Sequence, residues 1–541
     1  MSDRLDYHEF YAGFDAGVLT SAFDGEIATA VNACVECCDR HVGNDLVAMR
    51  WANAAGERAA YTFEDLQSRS AQVANLLVQN GVKPGDVVSG LLPRIPELVG
   101  LILGVLRTGA VYQPLFTAFG AQAIDHRLST SHAKIVVTDM ANRPKLDGLA
   151  NTPMVLTIDA AAPYQSDVDF SAQTDAMPTT FAPVMRTGDD PMLLMSTSGT
   201  TGLPKGVQIP LRALAGIGAY MTFGLDVRPN DVFWNIADPG WAYGLYFAIL
   251  GPLLIGRQTT LHDGPFTVDS TVELVQEMGI NNFAGAPTAY RMLMAAGDAV
   301  AEPLAGRLRV ASSAGEPLNP EVMRWFDEQI GVPLYDQYGQ TECGMVLANH
   351  HGLDHAVQPG SAGFPMPGFR LQVVTENGEP VPNGQPGILA IHRPDSPLFF
   401  FDGYLGDEGQ GWVGDYYLTG DTVEKSDDGY ISFVGRSDDV ISSAGYRIGP
   451  FDVESSLLEH AAVAESAVVG LPDEQRGEIV AAFVVLHPGV DGDQDLRVEL
   501  TEHVRSSLGK HAFPRQIEFV QELPKTPSGK IQRFLLRSRA G

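Results

Sequence analysis

Residues 87–115 constrain the fold more than any other segment of the chain. Residues 87–92 are a short apolar run closed by Pro93. Residues 95–108 carry helical apolar spacing with Gly109 just past the end, and residues 111–115 form a second buried run. The pattern predicts a strand–helix–strand unit. Residues 135–138 and 154–158 read as further strands, so mixed α/β layers around parallel sheets are expected.

Segment 159–190 is polar and turn-rich and reads as a surface excursion. Residues 239–256 carry no charge over 18 positions but hold two prolines and four glycines. A membrane span wants about 20 apolar residues, so this stretch reads as buried core or pocket lining. Near residue 360 the pattern changes to short strands at 369–374, 387–392, 430–434 and 440–443, punctuated by Gly, Asn, Asp and Pro, which predicts a β-rich subdomain. Past residue 438 the order is strand, helix (450–459), strands (464–469 and 479–486), helix (496–508), strand (517–520). That is a compact α+β unit of about 100 residues, an ordinary domain size.

With 541 residues, about two to four domains are expected. The charge of −30 disfavours a nucleic-acid binder and adhesion to an anionic membrane surface. Four cysteines argue against a disulfide scaffold and fit a reducing compartment. Cys34, Cys37 and Cys38 cluster near His41, but no second Cys-x-x-Cys completes a metal set, and a helix face with partly buried thiols is the expectation. The first residues show no basic stretch followed by an apolar one, so no signal peptide and a cytoplasmic protein are expected. Residues 501–541 hold eight Lys/Arg and three Glu, which reads as a solvated surface or as a lid that closes on a polyanion.

The strongest chemical signal is the run Ser196, Thr197, Ser198, Gly199, Thr200, Thr201, Gly202, Leu203, Pro204, Lys205, Gly206. Five hydroxyls, three glycines and a lysine make a loop able to cradle phosphate oxygens. It is not a Walker A loop, because Pro204 stands where the second glycine belongs. Residues 207–209 read as a strand, so the element is strand–loop–strand. The plain alternative is a Gly/Ser surface loop.

This loop resembles the phosphate loop of the AMP-forming adenylating superfamily. Further segments resemble that family's motifs in the family's order: Ser313-Ala314-Gly315-Glu316-Pro317, Tyr338-Gly339-Gln340-Thr341-Glu342, Tyr417-Leu418-Thr419-Gly420-Asp421, Gly435-Arg436-Ser437-Asp438-Asp439 and Pro524-Lys525-Thr526-Pro527-Ser528-Gly529-Lys530. Singly, each has a bland reading: a turn for 338–342, a helix cap for Asp421, an exposed tail charge for Lys530. Together they span more than 300 residues.

The resemblance implies a large N-terminal AMP-binding domain (1–437) of α/β subdomains plus a β-rich subdomain, and a small mobile α+β C-terminal domain (438–541) with its hinge at Asp438. It implies that ATP, Mg²⁺ and coenzyme A are used. Gly315, Glu316 and Pro317 would lie along the adenine with Tyr338, beside Gln340. Thr341, Ser196, Thr197, Ser198, Gly199, Thr200, Thr201, Gly202 and Lys205 would meet phosphate, and Glu342 would hold Mg²⁺. Asp421 would accept the ribose hydroxyls, with Arg436 on ribose or phosphate. Lys530 would reach the reacting carboxylate and α-phosphate. After rotation of the C-terminal domain, Gly445, Tyr446 and Arg447 would bind coenzyme A, with Gly445 lying against the pantetheine arm. The implied reaction ligates a carboxylic acid to coenzyme A through an acyl-adenylate. Alternatives are loading of a carrier-protein phosphopantetheine and an aryl or branched-acid ligase.

Two subfamilies are resembled: acetyl-CoA synthetase in residues 32–41 and 114–120, medium-chain acyl-CoA synthetases in residues 443–451 and 513–520. Acetyl-CoA synthetases place a tryptophan where this chain has Gly339. An opened pocket, walled by Trp241, Ala242 and Tyr243, predicts an acid of roughly four to ten carbons and a role in fatty acid metabolism. The expected partners are small molecules only, with no nucleic acid, no stable membrane association, and a monomer or homodimer as the assembly.

Overall fold

The protein's structure, a computed structural model, describes residues 4–540 except 21–22, 44, 151, 198–203, 408, 437–438, 444–445, 474–475, 510–511 and 526–530. For Val18, Arg447, Arg539 and Ala540 it describes the backbone alone. The expected unit is present as strand Val87–Leu91, helix Pro96–Arg107 and strand Val111–Pro114, with the two strands parallel. Pro96 opens the helix where a missing N–H is tolerated. The helix Phe63–Gln79, started by a Thr62/Asp65 capping box, packs against it. Gly104 permits the approach, since a Cβ there would fall 2.5 Å from a Val73 methyl.

Two large sheets follow. A seven-stranded sheet runs in the order Gly206–Pro210, Pro191–Ser196, Val111–Pro114, Val87–Leu91, Ile135–Thr138, Met154–Thr157, Val168–Asp169. Its strands are parallel except for the first pair, which is a hairpin. A nine-stranded sheet has the parallel strands Leu334–Gln340, Val310–Ala314, Asn282–Gly285, Phe233–Asn235, Thr259–Asp263 and Val47–Asn53 at its centre. One apolar core reaches across residues of both sheets. The β-rich subdomain is an antiparallel sheet of Leu371–Val374, Pro386–His392, Tyr416–Lys425, Trp412–Val413 and Ile431–Arg436.

The C-terminal unit has its own five-stranded sheet and its own apolar cores. Strand Ile441–Ser443 belongs to this sheet, as does the parallel strand Gln516–Phe519. The unit meets the rest of the chain closely. Gly449 lies where a Cβ would come within 2.5 Å of the Val434 carbonyl, and Asn319 donates to Ser455 O at 3.5 Å.

Several expectations are corrected. Segment 159–190 is not only a surface excursion: Val168–Asp169 adds an edge strand, and Phe170 is fully buried at the head of helix Phe170–Asp175. The ten-residue strand Tyr416–Lys425 and the helix Arg533–Ala540 were not foreseen. The cysteines are more deeply placed than expected. Cys34, Cys37 and Cys38 have no exposed surface, and burial pushes the Cys34 thiol up to about 12. Among the described residues no group of three His, Cys, Asp or Glu could hold a metal ion. Residues 239–256 are mostly buried helix, and among the described residues no helix is long and apolar enough to cross a membrane.

The N-terminal arm is stitched back onto the core. Strand Leu5–Asp6 pairs with Leu353–Asp354, and Tyr7 stacks on His350 at 5.1 Å. His351 stacks on Tyr335 at 4.1 Å, with its Nε2 3.0 Å from Ala311 O. Burial lowers both His350 and His351 to about 3, so both rings are neutral.

Candidate active site

Three hairpins bring the motif residues together. The first joins Pro191–Ser196 to Gly206–Pro210 and sets Ser196 opposite Gly206. At its neck Thr197 N donates to Lys205 O at 2.9 Å, and Thr197 Oγ1 accepts from Lys205 N at 3.4 Å. Ser198, Gly199, Thr200, Thr201 and Gly202 lie outside the described residues. A strand flanks them on either side, Pro191–Ser196 and Gly206–Pro210, and not a helix.

The second hairpin joins Leu334–Gln340 to Gly344–Ala348, with Thr341, Glu342 and Cys343 between the strands. The third joins Tyr416–Lys425 to Ile431–Arg436 and sets Asp421 opposite Arg436. Asp421 is therefore a strand residue and not a helix cap. Its Oδ1 lies 3.5 Å from an Arg436 nitrogen. Its Oδ2 accepts from Tyr338 Oη and, at 2.7 Å, from Gln340 Nε2, which also donates to Thr419 O. Two motifs some 80 residues apart thus meet at one carboxylate.

Glu342 is 8% exposed. Burial raises its pKa, and the hydrogen bond that it accepts from Tyr404 at 2.7 Å works against that rise. Among the described residues it has no Lys or Arg ion pair. Lys205 lies beside the same tyrosine. Its ammonium sits 5.1 Å from the Tyr404 ring centre and 3.8 Å from Asp407, and it bonds Gln410.

Gly315 ends the strand Val310–Ala314 at φ +106°, a conformation that favours glycine. Glu316 next to it is 3.5 Å from both Arg291 and Thr288, and Pro317 follows. Trp241 stands before helix Ala242–Gly244, which continues into a π-turn over Leu245–Leu250; such turns concentrate at functional sites. Phe116 and Phe119 pack on Trp241 at 5.6 and 5.5 Å. Tyr243 Oη is 3.4 Å from Tyr220 Oη, and Tyr246 donates to Thr341 O at 3.3 Å.

Gly339 needs a different account from the one the sequence suggested. A Cβ there would meet the Gly344 carbonyl at 2.2 Å and Met345 at 2.7 Å. The place a side chain would enter is filled by the facing strand, so at this spot the glycine serves the hairpin and leaves no open acyl space.

The C-terminal site residues are only partly described. Tyr446 is exposed on strand Tyr446–Ile448, whose backbone includes Arg447. Asp438, Gly445 and Lys530 lie outside the described residues. Two residues escaped the sequence reading. Tyr404 belongs to no motif, and its only signal was an aromatic-rich run from Phe399 onward. Asp336 is buried with Oδ1 unpartnered, and burial pushes its carboxyl up to about 8; two residues before Tyr338, it reads as an ordinary strand position.

Comparison with known proteins places these features in one family. Residues 38–405 match the AMP-binding enzyme family, and residues 452–530 match the AMP-binding enzyme C-terminal domain. The chain is 36% identical to the acetyl-coenzyme A synthetase of Bacillus subtilis (strain 168), covering 98% of this chain and 95% of that protein. It is 37% identical to the mitochondrial acyl-coenzyme A synthetase ACSM4 of Rattus norvegicus, covering 91% and 86%. Its fold superposes on a crystal structure of Brucella canis acyl-CoA synthetase with a TM-score of 0.81, at 55% identity over 99% of both chains. The chain belongs to the AMP-binding enzyme family, and within it to the acyl-CoA synthetases.

Proposed function

We propose that the protein joins a short-to-medium-chain carboxylic acid to coenzyme A, consuming ATP and releasing AMP and pyrophosphate through an acyl-adenylate. The observation that carries this reading is the meeting of Tyr338, Gln340, Asp421 and Arg436 next to the turn that holds Glu342, which Tyr404 links to Lys205 at the neck of the phosphate-loop hairpin. Together they offer a carboxylate for ribose hydroxyls, a guanidinium, a flanking aromatic ring and a loop for phosphate.

The chemistry asks little else of the protein. A carboxylic acid with a pKa of about 4 to 5 is ionised at neutral pH and needs no general base. Attack at phosphorus depends on positioning and charge neutralisation. Glu342 fits a divalent cation: it is a buried carboxylate near Arg436 but with no Lys or Arg ion pair among the described residues, and Mg²⁺ would supply a direct cationic partner. Bound there, the ion would neutralise phosphate charge. Lys205 and the hydroxyls of 196–201 bind phosphate oxygens, and Lys530 bridges the attacking carboxylate and the α-phosphate as a point charge. Gly315, Glu316 and Pro317 lie along the adenine.

In the second half-reaction the C-terminal domain turns about Asp438. It withdraws Lys530 and brings Gly445, Tyr446 and Arg447 to the coenzyme A arm. The division 1–437 and 438–541 is supported by the separate apolar cores of the last unit. The acid's tail runs along Trp241, Ala242 and Tyr243 with Phe116 and Phe119 behind. We place the enzyme in the cytoplasm, in fatty acid metabolism, as a monomer or homodimer.

The test is a panel of acids from two to twelve carbons plus aryl and branched acids, scored for AMP and pyrophosphate, with coenzyme A and a carrier-protein phosphopantetheine offered in parallel. Thioester on coenzyme A with one AMP per turnover supports the reading. Release of ADP, transfer only to the carrier, or no ATP consumption with any acid overturns it.

A further inference from the structure

Segment 399–411 follows the strand Pro386–His392 and belongs to none of the motifs that define the site. It nevertheless touches both charged groups at the phosphate end. The Tyr404 hydroxyl donates to Glu342 Oε1 at 2.7 Å. The face of the same ring lies 5.1 Å from the Lys205 ammonium, and Asp407 and Gln410 complete the lysine's surroundings. The segment is also anchored to the phosphate-loop hairpin itself. Leu405 N donates to Gly206 O at 2.9 Å, and Tyr404 forms a bridge with Val207. Behind Tyr404 stands Phe401, at 5.0 Å between ring centres, and Phe401 packs in turn on Tyr417 at 5.0 Å. Tyr417 is 2% exposed on the strand that carries Asp421.

We propose that Tyr404 is a positioning residue: its hydroxyl holds the Glu342 carboxylate in the orientation presented to the metal–phosphate group, while its ring face steadies Lys205. The inference rests on the reading of Glu342 as the Mg²⁺-holding carboxylate and adds the residue that aims it. A buried carboxylate with both oxygens free to turn must lose that freedom when a metal arrives. A carboxylate already fixed on one oxygen keeps the other for the ion and binds it with less reorganisation. Phe401 packs on both Tyr404 and Tyr417, so the ring whose hydroxyl fixes Glu342 is itself braced against the strand that carries Asp421.

The experiment measures nucleotide binding by calorimetry on the full chain, with no acid present, for wild type, Tyr404→Phe and Glu342→Gln. Each is titrated with ATP in excess Mg²⁺ and with ATP in excess chelator. Tyr404→Phe is expected to weaken binding of Mg²⁺·ATP about tenfold, about 1.4 kcal/mol. It should raise the Mg²⁺ concentration needed for half-saturation and leave metal-free ATP binding unchanged. Glu342→Gln should show the same selectivity with a larger loss. Phe401→Leu, which loosens the ring packed on Tyr404, should shift the Mg²⁺ requirement in the same direction by a smaller factor and covers the case in which Tyr404→Phe folds poorly. A Tyr404→Phe protein that binds Mg²⁺·ATP like wild type while Glu342→Gln does not overturns the positioning role alone. Equal losses with and without metal also overturn it, because they mark a structural role. Wild-type binding by Glu342→Gln overturns the reading of Glu342 and the inference with it.

Discussion

Asp421 and Arg436 face each other across paired antiparallel strands, 3.5 Å apart, while Tyr338 and Gln340 approach the same carboxylate from a different sheet. The carboxylate is therefore oriented before any nucleotide arrives. Asp421→Ala removes the proposed acceptor for two ribose hydroxyls and takes one partner from each of Tyr338, Gln340 and Arg436. Hydrogen bonds to a charged group are worth about 1.5–3 kcal/mol each, so kcat/KM for ATP should fall by about 10² or more, with the KM for the acid little changed. Initial rates of pyrophosphate release against ATP concentration check this, and Asp421→Asn should lose less.

Gly339→Trp is expected to damage the enzyme broadly and not to narrow it toward acetate. The Cβ alone would strike the Gly344 carbonyl at 2.2 Å, so the hairpin carrying Gln340 and Glu342 must shift. Rates across acids of two to eight carbons should drop together. A selective loss of the longer acids with acetate activity kept would contradict this.

Lys530→Ala should abolish adenylate formation and leave thioester formation from supplied acyl-adenylate intact, and Gly445→Leu should do the reverse. Both half-reactions are followed separately, by pyrophosphate release and by thioester yield. Loss of the same half-reaction in both variants would remove the case for two alternating faces.

His350 and His351 are held neutral by burial, with folded-state values near 3 against about 6.5 in the unfolded chain. Between these limits the unfolded state binds more protons, so stability declines as pH falls from about 6.5 toward 3, by up to about 1.4 kcal/mol per pH unit for each ring. His351→Gln loses the stack on Tyr335 and should be less stable than wild type at pH 7.5, yet show a shallower decline below pH 6. Thermal unfolding at pH 7.5, 6 and 5 measures both effects.

The four cysteines should resist alkylation in the folded protein. All are buried, and burial raises every thiol, Cys34 to about 12. Iodoacetamide at pH 8 should label none of them natively and all four after denaturation, read by intact mass.

What the sequence made legible follows from range. The 87–115 unit could be placed because its signals are local: a proline closing the first apolar run, helical apolar spacing, a glycine past the helix end and a second apolar run. The Ser196–Gly206 hairpin was readable for the same reason. Strand Tyr416–Lys425 was missed because Thr419, Gly420, Asp421 and Glu424 break apolar alternation, and its register is set by partners at 386–392 and 431–436. Phe170 was hidden in a polar segment because the other buried residues there, Thr174 and Gly188, carry no apolar signal. Tyr404 was invisible for a different reason: its importance lies in reaching Glu342, 62 positions earlier, and no local pattern records that. Gly339 was misread because a missing side chain suggests space, and only the facing strand reveals that Met345 occupies it.

The rod running from Trp241 through the π-turn has one further implication. Its near end lines the wall proposed for the acid, and one turn later Tyr246 grips the backbone of Thr341, the residue next to Glu342. An oversized guest that levers this rod outward would tug on the catalytic turn. Size discrimination should then register as slower turnover of ill-fitting acids as well as weaker capture of them, so that selectivity is exercised on the reaction and not only at the door.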